Sequence, residues 1–128
     1  MMRTIWAIAA GAAVMIATVA ASPPDARRGR DAFEKRCTGC HSMDQIKVGP
    51  PLAGIYGRRA GMNPAFPYSD ALRKARLTWD SPTLEKWLED TESVAPGNDM
   101  AFRLADAEER RNIVKYLEQG GMRPRQQR

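Results

Sequence analysis

The stretch Cys37-Thr38-Gly39-Cys40-His41 holds both cysteines and the single histidine of a 128-residue chain. Two cysteines are too few for a multi-bridge framework. A structural zinc site takes four ligands, usually Cys or His, and only three such residues exist here, with no second pair downstream. A thioredoxin-like redox pair opens a helix after a strand in a βαβ setting. The flanking sequence carries no such pattern. A simple Cys37–Cys40 disulfide is the plainest alternative. It leaves unexplained why the one histidine directly follows the second cysteine.

Cys-x-x-Cys-His is the attachment signature for c-type haem. Its spacing suits that chemistry. Two thiols add to the two vinyl groups of one haem edge, and the next residue is thereby placed under the iron to offer an imidazole nitrogen. A second axial ligand must come from elsewhere. No other histidine exists, so methionine is the natural candidate. Met43 is too near His41 to reach the opposite haem face, and Met122 lies beyond the last helical segment. Met62, in a Gly/Pro-rich loop, stays open as a candidate. Met100 follows Pro96-Gly97 in a rigid turn between two helices and is preferred. Methionine ordinarily serves as adaptable core filler; a vacant iron position weighs against that reading here.

Outward from this motif, Ala26 to about Cys40 carries helical spacing, with Phe33 as its main apolar residue and Gly29 four positions earlier. Met43–Trp79 is rich in turn formers, including Gly49-Pro50-Pro51, Gly54, Gly57, Gly61, Asn63-Pro64 and Pro67. Only a short helix near Ser69–Ala75 is predicted there. So long an irregular stretch in a small domain implies something to wrap around. Ser81-Pro82 reads as an N-cap with proline at the first helical position, ahead of Leu84, Trp87 and Leu88 on one face. Asp106 and Glu109 resemble a capping box in front of Ile113, Tyr116 and Leu117, and Gly120-Gly121 stops that helix. Val94–Phe102 reads as an irregular connection. No repeat, β-hairpin or βαβ signal is present. The expected fold is all-α, with three to five helices and irregular loops around one covalently bound haem.

The composition, 43% hydrophobic and 27% charged, is that of a folded domain rather than a disordered chain. A core this small needs help from a bound group. The net charge of +5 comes without a long Lys/Arg run or aromatic-rich strands, so nucleic-acid binding is not expected. Arg3 supplies one of those excess charges and Arg123, Arg125 and Arg128 three more. Arg3, an uncharged Ile5–Ala21 stretch and the small residues Val19-Ala20-Ala21 read as a secretory signal peptide over residues 1–21. An uncleaved membrane anchor is the alternative, and its many alanines make it a weak one. The expected divisions are the signal peptide, a domain over 22–121, and a basic, disordered tail over 122–128. The expected location is the periplasm.

The chain resembles class I cytochromes c of the mitochondrial and bacterial soluble type. Four segments carry the likeness: Gly29 and Phe33 ahead of Cys37–His41; Lys47–Gly61; Tyr68-Ser69-Asp70-Ala71 with Trp79; and Pro96-Gly97-Asn98-Asp99-Met100-Ala101-Phe102. The resemblance implies that Cys37 and Cys40 carry the haem and that His41 and Met100 ligate its iron. It implies that the Pro50 carbonyl orients His41, that Arg58, Tyr68 and Trp79 bond the haem propionates, and that Phe102 covers the haem edge. Gly29 and Tyr116 would let the first and last helices cross closely, with Phe33 and Ile113 nearby. Trp87 stands where the family usually has a tyrosine near the methionine sulfur. An indole can only donate, through its N–H. Leu72 replaces a frequent asparagine, and Asp99 stands where mitochondrial members have lysine. The docking ring of lysines is therefore not simply retained; Arg36, Lys86 and Arg103 are candidates for part of it.

The expected function is one-electron transfer in a respiratory or photosynthetic chain, without catalysis, nucleic acid or a small-molecule substrate, by a monomer. Expected partners are redox proteins: a membrane oxidase, a quinol–cytochrome c oxidoreductase, a photosynthetic reaction centre or a periplasmic dehydrogenase. Two alternatives stand beside it. One is a dedicated subunit of a periplasmic dehydrogenase complex. The other is a haem enzyme with a labile methionine ligand.

Overall fold

Asp25 begins the first helix by accepting hydrogen bonds from the backbone N–H groups of Arg27 and Arg28, at 2.8 and 2.9 Å. Such a cap satisfies amides that a helix start leaves unpaired. The computed structural model describes residues 14–121, so the first 13 residues of the expected signal peptide, Met122 and the expected tail lie outside the described residues. Residues 14–24 are exposed and without regular structure. No helix among the described residues is long and apolar enough to cross a membrane.

Helix α1, Ala26–Arg36, buries Gly29, Ala32 and Phe33 along one side. It is shorter than its sequence spacing predicts. Cys37 closes it by donating its N–H to the Phe33 carbonyl. A turn follows in which the N–H groups of Cys40 and His41 both donate to the Cys37 carbonyl, at 3.1 and 2.8 Å. The Cys-x-x-Cys-His sequence therefore leaves the helix as a tight turn rather than continuing it.

The long middle segment is irregular, as its turn formers require. Helix α2, Asp70–Lys74, lies where a short helix is predicted, capped by the Ser69 hydroxyl on the Leu72 N–H. The loop bearing Arg58 to Ala60 runs antiparallel to Leu77–Trp79. Gly57 and Ala60 donate to the carbonyls of Trp79 and Leu77, both at 2.8 Å, and Trp79 donates to that of Arg58 at 2.9 Å. The Arg59–Thr78 bridge is the one β pairing among the described residues. No hairpin signal announces it, because the paired segments are far apart in sequence.

Helix α3, Ser81–Glu89, buries Leu84, Trp87 and Leu88. Its cap is Asp80 rather than Ser81. The Asp80 carboxylate accepts from the Thr83 N–H at 2.9 Å, while the Ser81 hydroxyl pairs with Tyr56 Oη at 2.9 Å. Helix α4, Thr91–Val94, follows at once, capped by Asp90. It ends at Val94, the first residue of the stretch that reads in sequence as an irregular connection. Helix α5, Ala107–Glu118, is capped by Asp106 on the Glu109 N–H at 2.9 Å. The Glu109 carboxylate does not complete a capping box; it pairs with Arg36 of α1 at 2.9 Å.

Helix α1 packs on α5, and α3 packs on both α5 and α4. Gly29 faces Asn112 at the α1–α5 crossing. The Asn112 Oδ1 accepts from the Asp25 N–H at 2.8 Å, and the rings of Phe33 and Tyr116 lie 5.4 Å apart. Ile113 is fully buried between the helices. Truncating such a residue to alanine costs about 2–5 kcal/mol.

Candidate haem site

His41 follows the turn and is buried. Its Nδ1 lies 2.9 Å from the Pro50 carbonyl oxygen. A carbonyl can only accept, so Nδ1 carries the proton and donates, and Nε2 keeps its lone pair. Burial holds the His41 pKa below its ordinary value, against the opposing effect of the Pro50 bond, and the Lys47 charge adds to the lowering. A neutral imidazole is the form that binds a metal. Gly49 backs this ring so closely that a Cβ there would lie 2.3 Å from His41 Cε1.

Both cysteines are free thiols, Cys37 buried and Cys40 exposed. Burial, with Glu109 and Cys40 adding to it, pushes the Cys37 thiol up to about 11. Cys37, Cys40 and His41 line one side of a cavity of about 480 Å³. Cofactor pockets are commonly about 300–1,000 Å³.

Met100 reaches the same cavity from the loop after α4. That loop is held by side chains. Asn98 Oδ1 accepts from the Met100 N–H at 2.9 Å and the Ala101 N–H at 3.3 Å. The Asn98 amide donates to the Ala95 carbonyl at 2.9 Å. Fully buried Thr91 accepts from the Phe102 N–H at 2.9 Å through its hydroxyl, and its own N–H donates to the Phe102 carbonyl. Arg110, buried in α5, donates to the carbonyls of Leu104 and Ala105 at 2.6 and 2.8 Å. Between these anchors Ala101 sits at φ +46°, in the left-handed region. Such strain costs about 1–3 kcal/mol and persists only where the surroundings fix it.

The walls are largely apolar. Trp79 and Trp87, 5% and 6% exposed, lie with ring centroids 5.4 Å apart and planes tilted by 60°. Both line the cavity, and neither indole N–H has an acceptor among the described residues. Pro50, Tyr68, Leu72 and Phe102 complete the parts read from sequence. Burial raises the Tyr68 pKa, against a backbone hydrogen bond at Asn63 and the Arg58 charge. Arg58 itself is exposed and outside the lining, though its charge reaches Tyr68 and its carbonyl accepts from Trp79. Met62, the other candidate ligand, is 63% exposed and outside the lining. Lys86 lies away from the cavity and Arg103 pairs with Asp90, whereas Arg36 reaches the cavity rim.

Three residues that position this site escape sequence reasoning. Asn98 follows Gly97 in a turn, where asparagine commonly bonds its own backbone, so a signal existed. Gly49 and Thr91 act on partners remote in sequence and carry no local signal.

The donor set fits a haem. Two thiols, an imidazole and a thioether line one cavity together with two indoles and apolar side chains. Among the described residues no three His, Cys, Asp or Glu gather to hold a bare metal ion. The arrangement is that of a small helical domain built to hold one covalent haem. Comparisons with known proteins agree. The family model "Cytochrome c" matches residues 26–121. The cytochrome c2 of Rhodomicrobium vannielii is 35% identical over 120 residues, 91% of this chain and 95% of that protein. A cytochrome c2 iso-2 of Magnetospirillum molischianum is 46% identical over 84 residues, 63% of this chain and 87% of that protein. The structure of cytochrome cH from Methylobacterium extorquens superposes with a TM-score of 0.71 at 38% identity, covering 74% of this chain and 98% of that one.

This chain belongs to the cytochrome c family. It is a class I monohaem cytochrome c, an electron carrier with one covalent haem c and its iron.

Proposed function

We propose that His41 and Met100 would hold the haem iron and that the protein is a freely diffusing periplasmic carrier without catalytic activity. The observation that supports this most is that His41 and Met100 line one cavity, while Met62 does not. Haem c, when bound, supplies one-electron Fe(III)/Fe(II) chemistry. The thiols of Cys37 and Cys40 anchor it. The Pro50 carbonyl holds His41 with Nε2 available, and Asn98 holds the Met100 backbone. Trp79, Trp87, Leu72 and Phe102 keep water out. A thioether ligand in an apolar pocket favours the ferrous state and so a fairly high potential. Pro50 orients His41, Tyr68 and Trp79 bond the propionates, and Arg58 contributes charge on that side. Trp87 donates towards the methionine side, and Phe102 covers the edge.

If His41 and Met100 both held the iron, they would leave no open ligand position for a substrate or gas. Export fits residues 1–21 as a cleaved signal, leaving Ser22 as the new N-terminus. Residues 22–121 are then the working domain and 122–128 a basic tail. The partners are redox proteins: a quinol–cytochrome c oxidoreductase or periplasmic dehydrogenase, and a membrane oxidase or photosynthetic reaction centre. Encounters of this class are small and brief.

Carbon monoxide titration of the reduced holoprotein tests the reading. A spectrum unchanged by carbon monoxide is expected. Rapid, stoichiometric binding at neutral pH would instead favour a labile Met100 and an enzymatic role.

A further inference from the structure

The Glu92 carboxylate of α4 reaches a backbone amide five residues further on. The Gly97 N–H lies 3.0 Å from Glu92 Oε1 and 3.1 Å from Oε2, so both oxygens share its proton. The Asn98 Nδ2 donates to Oε2 at 3.4 Å. No Lys or Arg pairs with Glu92 among the described residues; Arg103 pairs with Asp90 instead. The Glu92 side chain is exposed, and its carboxylate bonds fall on the turn Pro96-Gly97-Asn98 alone.

Gly97 turns the chain at φ +84°, beside a proline that has no N–H to give. On either side the loop amides find acceptors without Glu92. The Ala95 N–H donates to the Thr91 carbonyl at 3.0 Å, and the Asn98 N–H to the Ala95 carbonyl at 3.1 Å. The Gly97 N–H has Glu92 as its one acceptor among the described residues. The Asn98 side chain is fixed at both ends. The N–H groups of Met100 and Ala101 require its oxygen, while the Ala95 carbonyl and Glu92 require its nitrogen. A flipped Asn98 would set a donor against two donors and an oxygen against a carboxylate. Glu92 thus bears on Met100 through one intermediate side chain. The far end of the loop, at Phe102, is held separately by buried Thr91.

We propose that Glu92 is a positioning residue for Met100: its carboxylate clamps the Pro96-Gly97-Asn98 turn and keeps Asn98 aligned on the Met100 N–H. This rests on the reading that Met100 holds the haem iron. Because the clamp lies at the surface, loosening it frees the methionine half of the loop while the helices stay packed. An exogenous ligand then enters the site more readily. Glu92 governs how firmly the site stays closed.

Imidazole uptake by the oxidised holoprotein and amide hydrogen exchange in the reduced holoprotein test this together. Glu92→Ala should take up imidazole about fivefold faster than wild type, the factor that one hydrogen bond supports. Its Gly97 and Met100 amides should exchange faster, while the midpoint of denaturant unfolding stays near that of wild type. Glu92→Gln keeps an acceptor oxygen and should restore most of the slow uptake. Ser93→Ala removes a bond within the same short helix, from the Ser93 hydroxyl to the Asp90 carbonyl at 2.8 Å, and should change neither readout. Wild-type uptake and exchange in Glu92→Ala would overturn the proposal. So would equal acceleration in Ser93→Ala, which would reduce the effect to fraying of α4, or a fall in unfolding midpoint in step with the faster uptake. Failure of the ligand reading looks different: the oxidised wild type then lacks the far-red methionine band, and exchange of the Gly97 amide still reports on the clamp.

Discussion

Gly29 of α1 meets Asn112 of α5 so closely that a Cβ on Gly29 would lie 1.8 Å from the Asn112 carbonyl oxygen and 3.0 Å from Tyr116 Cβ. The obstructing atoms are largely backbone, which cannot rotate away. Overpacking of side chains costs about 1–3 kcal/mol. Gly29→Ala should therefore destabilise the holoprotein by at least about 3 kcal/mol, read from denaturant unfolding followed by the haem absorbance. A loss under 1 kcal/mol (about the scale of a surface change) would show that the helices separate easily.

Gly49 plays the same part against the proximal ring. Its Cβ would enter the space of His41 Cε1 and Nδ1, at 2.3 and 2.6 Å. Gly49→Ala is expected to displace the imidazole from the Pro50 carbonyl. Resonance Raman spectra of the variant should then show weakened or missing histidine ligation. A wild-type spectrum would mean that the ring has room to shift.

Asn98 sets the backbone of the methionine loop. Asn98→Ala removes its bonds to the Met100 and Ala101 N–H groups, a change worth about 1–2 kcal/mol. The strained Ala101 then loses one of its restraints. The far-red band of methionine-ligated ferric haem should bleach at lower temperature in this variant while global unfolding moves less. Coincident shifts in both transitions would show that the loop has no stability of its own.

Asp25 and Asp80 cap α1 and α3. The Arg28 amide, with that of Arg27, holds the Asp25 carboxyl below the ordinary aspartate value of 3.8, and the Thr83 hydroxyl, with the Thr83 amide, does the same for Asp80. A depressed folded-state pKa adds stability that is complete above the unfolded value and is lost as pH falls through the folded one. Wild type should therefore lose Tm in acid more steeply than Asp25→Asn/Asp80→Asn, whose caps do not titrate. The Tm difference between the two should be constant from pH 7 to 5 and shrink below about pH 4. A constant difference down to pH 2 would remove these caps from the acid response.

Sequence was most informative where the chemistry is local. Cys37, Cys40 and His41 declare the cofactor by spacing alone, and Ser69, Asp106 and the Leu84, Trp87 and Leu88 face declare their helices. It was least informative where a residue answers to a distant partner. Ser81 reads as the cap of α3, but Tyr56 claims its hydroxyl and Asp80 takes the cap. Glu109 reads as half of a capping box, but Arg36 claims its carboxylate. The α1 spacing runs past Arg36 because Cys37 can follow a helical pattern, whereas the carbonyl of Cys37 collects two turn bonds. Arg58, expected among the haem contacts, contributes its backbone to Trp79 and leaves its side chain outside the cavity lining. Gly49 and Thr91 have no local pattern at all, since each matters only through His41 or Phe102.

The ligand pair is tested most directly by the visible spectrum of oxidised Met100→Ala beside Met62→Ala. Loss of the weak far-red band in Met100→Ala, with conversion towards high-spin haem, and its full retention in Met62→Ala are the expected results. A Met100→Ala protein that keeps the band would contradict His41/Met100 ligation.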